Sequence, residues 1–282
     1  MKKSVNAMKI IVSGSRGFIG SAVKKELEFR GHHVMDGNDS TGGGGDLWYH
    51  FKWYLGSAAS DINAQVDSIK VALDALEHSY KIGCKRFIFA GSIMEHEVWK
   101  LSWQDGAALR ARDGYAAAKY CASVMLKSRA QELGVEFINA VITNVYGPGD
   151  KKTRFIAANL AKIKYGEAKT IPLRFSSGTQ MYDFIYIDDA ARAFADIGEK
   201  GFAGRNYSVG SGGAKPLRRF LEELLDEFSA ELSGAPGASF GAALSGVELP
   251  LEAFSAASLQ ADTGFAARIS FREGLRKTYE AL

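Results

Sequence analysis

Only two cysteines, Cys84 and Cys121, occur in 282 residues, and they stand far apart in the chain. That excludes a disulfide framework and makes each a small buried hydrophobe within a regular element, as expected of a protein kept in a reducing cytoplasm. No apolar run reaches the roughly 18 residues that a membrane span requires. The opening stretch Met1-Lys2-Lys3-Ser4-Val5-Asn6-Ala7 also lacks the apolar core of a signal peptide. Charge of one sign is never concentrated: 35 Lys plus Arg face 32 Asp plus Glu, for a formal charge of +3, which gives no basis for a nucleic-acid or membrane-surface role. Internal repeats and separate linkers are lacking too. Histidine is scarce, and nothing at metal-ligand spacing accompanies His50, so that residue reads as structural and no metal is expected.

What is present is an ordinary globular composition, 46% hydrophobic and 24% charged, on a chain long enough for one large or two interlocked domains. Met8-Lys9-Ile10-Ile11-Val12 is a short apolar run that breaks at Ser13-Gly14, and an amphipathic stretch follows from about Phe18 to Arg30. Gly31 stops that helix, and His32 to Asp36 reads as a second strand. Strand, glycine turn, helix and parallel strand make the βαβ unit of a doubly wound sheet. Gly37 to Gly45 reads as a flexible loop, and Leu47 to Phe51 as another strand.

Val66 to Tyr80 carries helical periodicity, Gly83 ends it, and Lys85 to Ala90 is a strand leading into Gly91-Ser92. Gly114 to about Leu133 is the next helix, and Val135 to Val145 is one long β-rich run. Farther on, Phe155 to Tyr165 and Leu217 to Phe228 look helical, whereas Tyr182 to Ile187 and Asn206 to Val209 look like strands. Ser229 to Gly246, dominated by Gly, Ala and Ser, reads as a surface loop.

Tyr115 and Lys119 stand at i and i+4 on one of these helices, so phenol and ammonium share a face. An adjacent ammonium stabilises tyrosinate and lowers the phenol's pKa from its ordinary value of ~10. Such a phenol can exchange a proton with a sugar or alcohol hydroxyl near neutral pH. Tyr-x-x-x-Lys alone arises by chance, and a serine after an apolar strand is commonly a turn residue. Their order behind the loop Gly14-Ser15-Arg16-Gly17-Phe18-Ile19-Gly20 is what carries information.

Together these residues resemble the extended short-chain dehydrogenase/reductase family of nucleotide-sugar epimerases, dehydratases and 4-keto-reductases. The resemblance covers most of the chain. It includes the glycine loop, Lys85-Arg86-Phe87-Ile88-Phe89, Ser92, Tyr115-x-x-x-Lys119, Asn144-Val145-Tyr146-Gly147-Pro148-Gly149, Asp183 to Asp189, Gly264-Phe265 and Ile269 to Leu275. It implies an α/β doubly wound parallel sheet (Rossmann) over residues 1–147, with 184–200 returning to it. A smaller C-terminal substrate domain would occupy 148–282.

The resemblance also implies NAD or NADP as cofactor, held by Gly14, Arg16, Gly17, Phe18, Ile19, Gly20, Asp36 and Lys119. Tyr115 would be the acid/base, Lys119 would bind the nicotinamide ribose and tune the tyrosine, and Ser92 would hydrogen-bond the substrate oxygen, with Asn144 near the substrate. A small-molecule substrate, a nucleotide sugar, and a homodimer paired through helices complete the expectation.

Several positions depart from the family pattern. The acidic residue that reads the ribose 2′-hydroxyl maps to Asn38, flanked by Asp36 and Asp39, while Arg16 suits a 2′-phosphate, so NAD and NADP both stay open. The stretch between the second strand and Leu47 is too short for the usual strand and helix, which implies a missing crossover, and His50-Phe51-Lys52-Trp53 stands where the family has His-Leu-Ala-Ala. The Asp-Glu pair of the dehydratases is replaced by Ile93 and Met94, with Glu95 one residue late, which disfavours 4,6-dehydration.

Family arginines that neutralise the substrate diphosphate are replaced by Tyr182 and by Val141 or Ile142. Lys151, Lys152, Arg154 and Arg174 are the available substitutes. The segment from Glu95 to Asp113, with Trp99, Trp103, Arg110 and Arg112, is a candidate cover. The reading is an NAD(P)-dependent epimerase or keto-reductase acting at a carbinol carbon of a nucleotide-linked sugar. The alternatives are an oxidoreductase on a non-nucleotide substrate and a catalytically silent NAD(P)-binding sensor.

Overall fold

The computed structural model describes residues 7–37, 44–55, 59–102, 113–241 and 248–282. Its first elements are β1 (Lys9–Ser13), α1 (Phe18–Phe29), β2 (His33–Asp36), β3 (Leu47–His50), α2 (Ile62–Lys81), β4 (Arg86–Ser92), α3 (Glu95–Ser102), α4 (Asp113–Leu133) and β5 (Glu136–Ile142). Then follow β6 (Asn144–Tyr146), α5 (Phe155–Lys164), β7 (Leu173–Arg174), β8 (Met181–Tyr182), β9 (Phe184–Tyr186), α6 (Ile187–Lys200) and β10 (Asn206–Val209). The chain ends with β11 (Lys215–Pro216), α7 (Leu217–Glu227), β12 (Ala238–Ser239), α8 (Ala257–Thr263) and α9 (Phe271–Glu280). Two compact units emerge, one of residues 1–142, 191–209 and 257–265, the other of 143–190, 210–256 and 266–282.

In the first unit six parallel strands run in the order β10-β5-β4-β3-β1-β2. Ile10, Ile11 and Val12 are all buried, as are Phe87, Ile88 and Phe89, the continuous apolar runs of strands covered on both faces. One face packs Ile11, Trp48, Phe87, Phe89 and Phe137 against Ala72 and Leu76 of α2 and Ala122, Leu126 and Ala130 of α4. Asp61 caps α2, its side chain accepting from the N–H groups of Asn63 and Ala64, which explains why that helix starts before the periodic stretch that begins at Val66.

The strand order tests the missing crossover directly. β2 is the edge of the sheet among the described residues, and β1 lies between β2 and β3, so the chain reverses its winding direction there without a further strand beyond β2. Ligand sites of open α/β sheets form at such a switch point, outside the carboxyl ends of the strands. Here that end carries the glycine loop after β1 and Phe51-Lys52-Trp53 after β3.

Some sequence expectations change. The run from Val135 to Val145 is two strands in different sheets, β5 in the large sheet and β6 paired with β9, because the chain leaves the ladder at Thr143. The run from Tyr182 to Ile187 likewise splits into β8 and β9, with Ile187 opening α6. In the Gly/Ala/Ser-rich segment, Ala238 and Ser239 pair with Leu173 and Arg174, so part of that loop is a strand; residues 242–247 lie outside the described residues. Cys84 is buried but precedes β4, and Cys121 is exposed on α4, so neither fits the expected buried position within a regular element.

Within the second unit, Tyr146, Phe184, Phe220 and Phe271 pack edge-to-face and stacked as an aromatic core. Asp183, fully buried, takes the Ser211 hydroxyl and the Gly212 N–H at 3.1 Å, while Asp189 accepts from the N–H groups of Arg268 and Ile269 at 2.9 and 2.8 Å. The Asp183–Asp189 segment is therefore a pair of backbone clamps, which accounts for its polar residues in a buried place.

An ion-pair cluster ties α1 to α6 inside the first unit. Arg30 reaches Glu26 and Asp196 at 2.8 Å and Glu199 at 3.0 Å, and the His32 ring lies 3.0 Å from Glu199. Burial opposes the Arg30 charge, but its acidic neighbours prevail and hold it protonated. Arg30→Ala removes the cation that Asp196 and Glu199 share, leaving Asp196 with Lys200 and Glu199 with His32, and is expected to cost about 2–3 kcal/mol, read from urea unfolding. An unchanged unfolding midpoint would show that the cluster contributes nothing net.

Candidate active site

The glycine loop is built by close approach. Gly14 has φ +80°, and a Cβ there would lie 2.8 Å from the Lys52 nitrogen; one at Gly20 would lie 2.2 Å from the Gly14 carbonyl oxygen. The loop is thus pressed against the segment after β3 and against itself, and only glycine fits at either place. Gly17 is the N-cap of α1, no side chain caps that helix, and no acidic residue occupies its first turn, which Phe18, Ile19 and Gly20 form. A helix N-terminus so arranged suits the pyrophosphate of a dinucleotide, since its N–H groups and dipole attract an anion. The residues present therefore fit the dinucleotide that the sequence implies.

Asp36 closes β2 beside this loop. The Ser15 hydroxyl donates to its carboxylate, and Arg16, 87% exposed, approaches it at 4.0 Å. At that exposure the Arg16 pairing adds little stability and leaves the guanidinium free to serve a ligand. Asn38 and Asp39, the other residues considered for reading the ribose, lie outside the described residues.

At the C-terminal end of β4 the chemistry-bearing side chains converge. Lys119 of α4 is buried, 5% exposed, and its ammonium donates to the Ala90 carbonyl at 2.8 Å. The same nitrogen lies 3.8 Å from the centre of the Trp53 ring and 4.7 Å from that of Phe89. Burial pulls Lys119 down to about 7, and the nearby Glu95 carboxylate opposes that fall. Trp53 is locked in turn: its indole N–H donates to Gln65 at 2.8 Å, and the Gln65 amide donates to the Tyr54 carbonyl at 3.1 Å.

Ser92 ends β4, two residues beyond Ala90, and is 7% exposed. Its hydroxyl oxygen accepts from the Met94 N–H at 3.3 Å, while its own N–H donates to the Glu95 carboxylate at 2.7 Å. These reciprocal contacts brace the turn between the end of β4 and the start of α3 at Glu95. The Ser92 oxygen is held by an incoming N–H, which leaves its O–H to donate outward. Tyr115 is half-buried and shares the helix face of Lys119.

Asn144 belongs to the second unit, where both its backbone and side-chain N–H groups donate to the Asp183 carbonyl at 3.2 Å. Lys151 and Arg174 are exposed, Lys152 donates to the Tyr165 hydroxyl at 2.9 Å, and Arg154 lies 3.6 Å from Asp150. α3 occupies the start of the candidate cover, and Trp103, Arg110 and Arg112 lie outside the described residues.

His50 takes the structural role expected of it. Its Nδ1 lies 2.8 Å from the Ser13 hydroxyl, and its ring stacks against those of Phe87 and Phe89. Burial, aided by the Lys119 charge, lowers it to about 3, so it is neutral at physiological pH. Among the described residues no cluster of His, Cys, Asp and Glu could hold a metal ion, and no helix is long and apolar enough to cross a membrane.

Sequence reasoning passed over Trp53, Gln65 and Asn139. No local pattern marks them, since Trp53 meets Lys119 and Asn139 meets Glu95 from far along the chain.

A family model described as "NAD dependent epimerase/dehydratase family" matches residues 46–210. CDP-abequose synthase of Salmonella muenchen is 28% identical over 141 residues, 50% of this chain and 46% of that protein. A dTDP-glucose 4,6-dehydratase of Streptomyces niveus is 23% identical over 243 residues, 82% of this chain and 66% of its own length. The chain thus spans about half of the first relative and just under two thirds of the second. Among solved structures, RMD of Pseudomonas aeruginosa complexed with NADPH superposes with a TM-score of 0.77 at 20% identity, covering 98% of both chains.

Lys119 also leaves a mark on stability. Its folded pKa of about 7 lies below the ordinary 10.5, so between those values the unfolded chain binds more protons and stability rises with pH. Lys119→Met is therefore expected to be more stable than the wild type below pH 7, by a margin that shrinks as pH climbs toward 10.5. Urea unfolding across that range checks this; a margin independent of pH would contradict it.

Proposed function

The chain belongs to the NAD-dependent epimerase/dehydratase family, and from that membership we propose an enzyme that transfers hydride at a carbinol carbon of a nucleotide-linked sugar, with Tyr115 as acid/base. The observation that carries this reading is the gathering of Ser92 and Lys119 at one strand end, with Tyr115 on the Lys119 face of α4. The names of relatives, a CDP-abequose synthase and a dTDP-glucose dehydratase, support a nucleotide sugar as the substrate class. In this reading the first unit is the cofactor-binding one and the second, to which Asn144 belongs, is the substrate-binding one.

Gly14, Gly17, Phe18, Ile19 and Gly20 would hold the pyrophosphate, Asp36 and Arg16 the adenosine ribose, and Lys119 the nicotinamide ribose. When bound, the nicotinamide supplies the acceptor or donor of hydride. Tyr115 removes the hydroxyl proton as the carbinol is oxidised, or returns it as a carbonyl is reduced. The outward O–H of Ser92 donates to the same substrate oxygen and fixes its position, while the Lys119 ammonium stabilises tyrosinate. An epimerase uses both directions in one turnover and a keto-reductase only the reduction.

Dehydration is disfavoured. Ile93 is buried and Met94 is apolar, so no acid stands directly after Ser92, and the Glu95 carboxylate is already committed to the Ser92 N–H and Asn139. A homodimer completes the reading, formed by two copies pairing through α2 and α4, where Val66, Val124 and Met125 are exposed.

Tyr115→Phe is expected to lower turnover of a nucleotide sugar by about 10²–10⁴-fold while leaving the cofactor dissociation constant unchanged. Wild type that binds NAD(P) yet turns over no member of a nucleotide-sugar panel would favour the silent sensor. Cofactor choice turns on Asp36. Its carboxylate suits a ribose 2′-hydroxyl and repels a 2′-phosphate, so NAD should bind more tightly than NADP. Asp36→Ala should move the ratio of the two dissociation constants toward NADP by about tenfold or more, measured by calorimetric titration. An unmoved ratio would assign the choice to other residues.

A further inference from the structure

Glu95 is a buried carboxyl at a position where hydride transfer asks for none. It is 7% exposed, its oxygens accept from the Ser92 N–H at 2.7 Å and the Asn139 side-chain amide at 3.0 Å, and the Ser123 hydroxyl lies within its reach. Ser123 stands one turn beyond Lys119 on α4, at i+4, so the carboxyl rests against the helix face that carries Lys119. The two groups are anchored to main-chain atoms two residues apart on one strand, Lys119 on the Ala90 carbonyl and Glu95 on the Ser92 N–H. The space between is packed tight: a Cβ on Gly91 would lie 2.7 Å from the Glu95 carboxyl and 2.2 Å from Asn139 Oδ1.

A buried ammonium that faces one carbonyl and two aromatic rings needs a counter-charge to stay protonated. We propose that Glu95 is a positioning residue for the Tyr115/Lys119 centre, its carboxylate serving as the buried counter-ion of the Lys119 ammonium while it fixes the Ser92 turn. This deepens the hydride-transfer reading and rests on it. Among the described residues the titratable groups about Lys119 are Glu95 from α3, His50 from β3 and Tyr115 from its own helix, with the Lys52 charge acting on His50 as well. His50 is neutral above about pH 3, so Glu95 is the group that opposes the Lys119 charge. Burial raises the Glu95 pKa, and the Ser92 N–H, the Asn139 amide and the Lys119 charge oppose that rise.

The substitution Glu95→Gln separates the two duties. The carboxamide oxygen it introduces still accepts from the Ser92 N–H. Its NH₂ group can donate to Asn139 Oδ1, which has no partner in the native arrangement, once the Asn139 amide turns over. The turn contact survives and the charge is removed.

The test is NMR titration of full-length protein labelled with ¹³C and ¹⁵N in lysine, the Lys119 signal being identified by its loss in Lys119→Met. In Glu95→Gln the Lys119 midpoint should fall by about one pH unit or more, a tenfold loss of proton affinity. Glu95→Asp should restore most of it. The alkaline limb of turnover should move down by the same amount while cofactor affinity holds. An unmoved midpoint would overturn the proposal and leave Glu95 as a brace of the Ser92 turn alone.

The ¹³C shift of the Glu95 carboxyl in the wild type, assigned by its loss in Glu95→Asp, must show a carboxylate at neutral pH. A neutral acid there overturns the proposal even if Glu95→Gln fails to fold. Failure of the wild type to turn over any nucleotide sugar would remove the hydride-transfer reading instead, and the Lys119 titration would still report on Glu95.

Discussion

A buried ammonium at the end of a parallel strand is the constraint around which the first unit is organised. Lys119 can sit there because the Ala90 carbonyl accepts from it and the faces of Trp53 and Phe89 cover it. Each of these groups has its own reason to be in place. Ala90 and Phe89 lie in β4, held in register between β3 and β5, and Trp53 is fixed through Gln65 on α2. Desolvation weakens the positive charge, bringing its proton affinity close to neutral pH. A group that is costly to charge but held ready to be charged suits a centre that handles protons.

The glycine loop and this lysine are connected by the strand order. β1 and β3 are neighbours, so the loop after β1 presses on the backbone of Phe51 and Lys52, and the next residue, Trp53, lies over the lysine. One short segment therefore contacts both the expected pyrophosphate cradle and the expected proton-transfer centre. The loss of a crossover beyond β2 leaves this arrangement untouched, since that crossover would extend the sheet on the side away from β3 and β4. The chain can be shorter than the family pattern and keep its chemistry-bearing edge.

Much of this was legible in the residues. The apolar runs of β1 and β4, the glycines and the Tyr115/Lys119 spacing are local patterns, and local patterns survive folding. Glu95 was equally local, yet it reads as a dehydratase acid one residue out of position, and its return to the Ser92 N–H shows only in the fold. Trp53 and Asn139 were not legible, because their partners are far along the chain: Trp53 follows β3 and meets Lys119 on α4, and Asn139 meets Glu95 across 44 positions. The break at Thr143 was hidden for another reason. Apart from Asn144 its neighbours Val141, Ile142, Val145 and Tyr146 are strand formers, and the pairing of β6 with β9 shows that the chain has changed sheets.

Hydride transfer at the end of β4 is a proposal open to direct test. The most direct measurement is the near-ultraviolet absorbance of reduced nicotinamide when NAD-loaded wild-type protein is mixed with a panel of nucleotide sugars under single-turnover conditions. At least one sugar nucleotide should produce a transient or lasting rise that vanishes in Tyr115→Phe. A flat signal across the panel, with NAD bound throughout, would contradict the account.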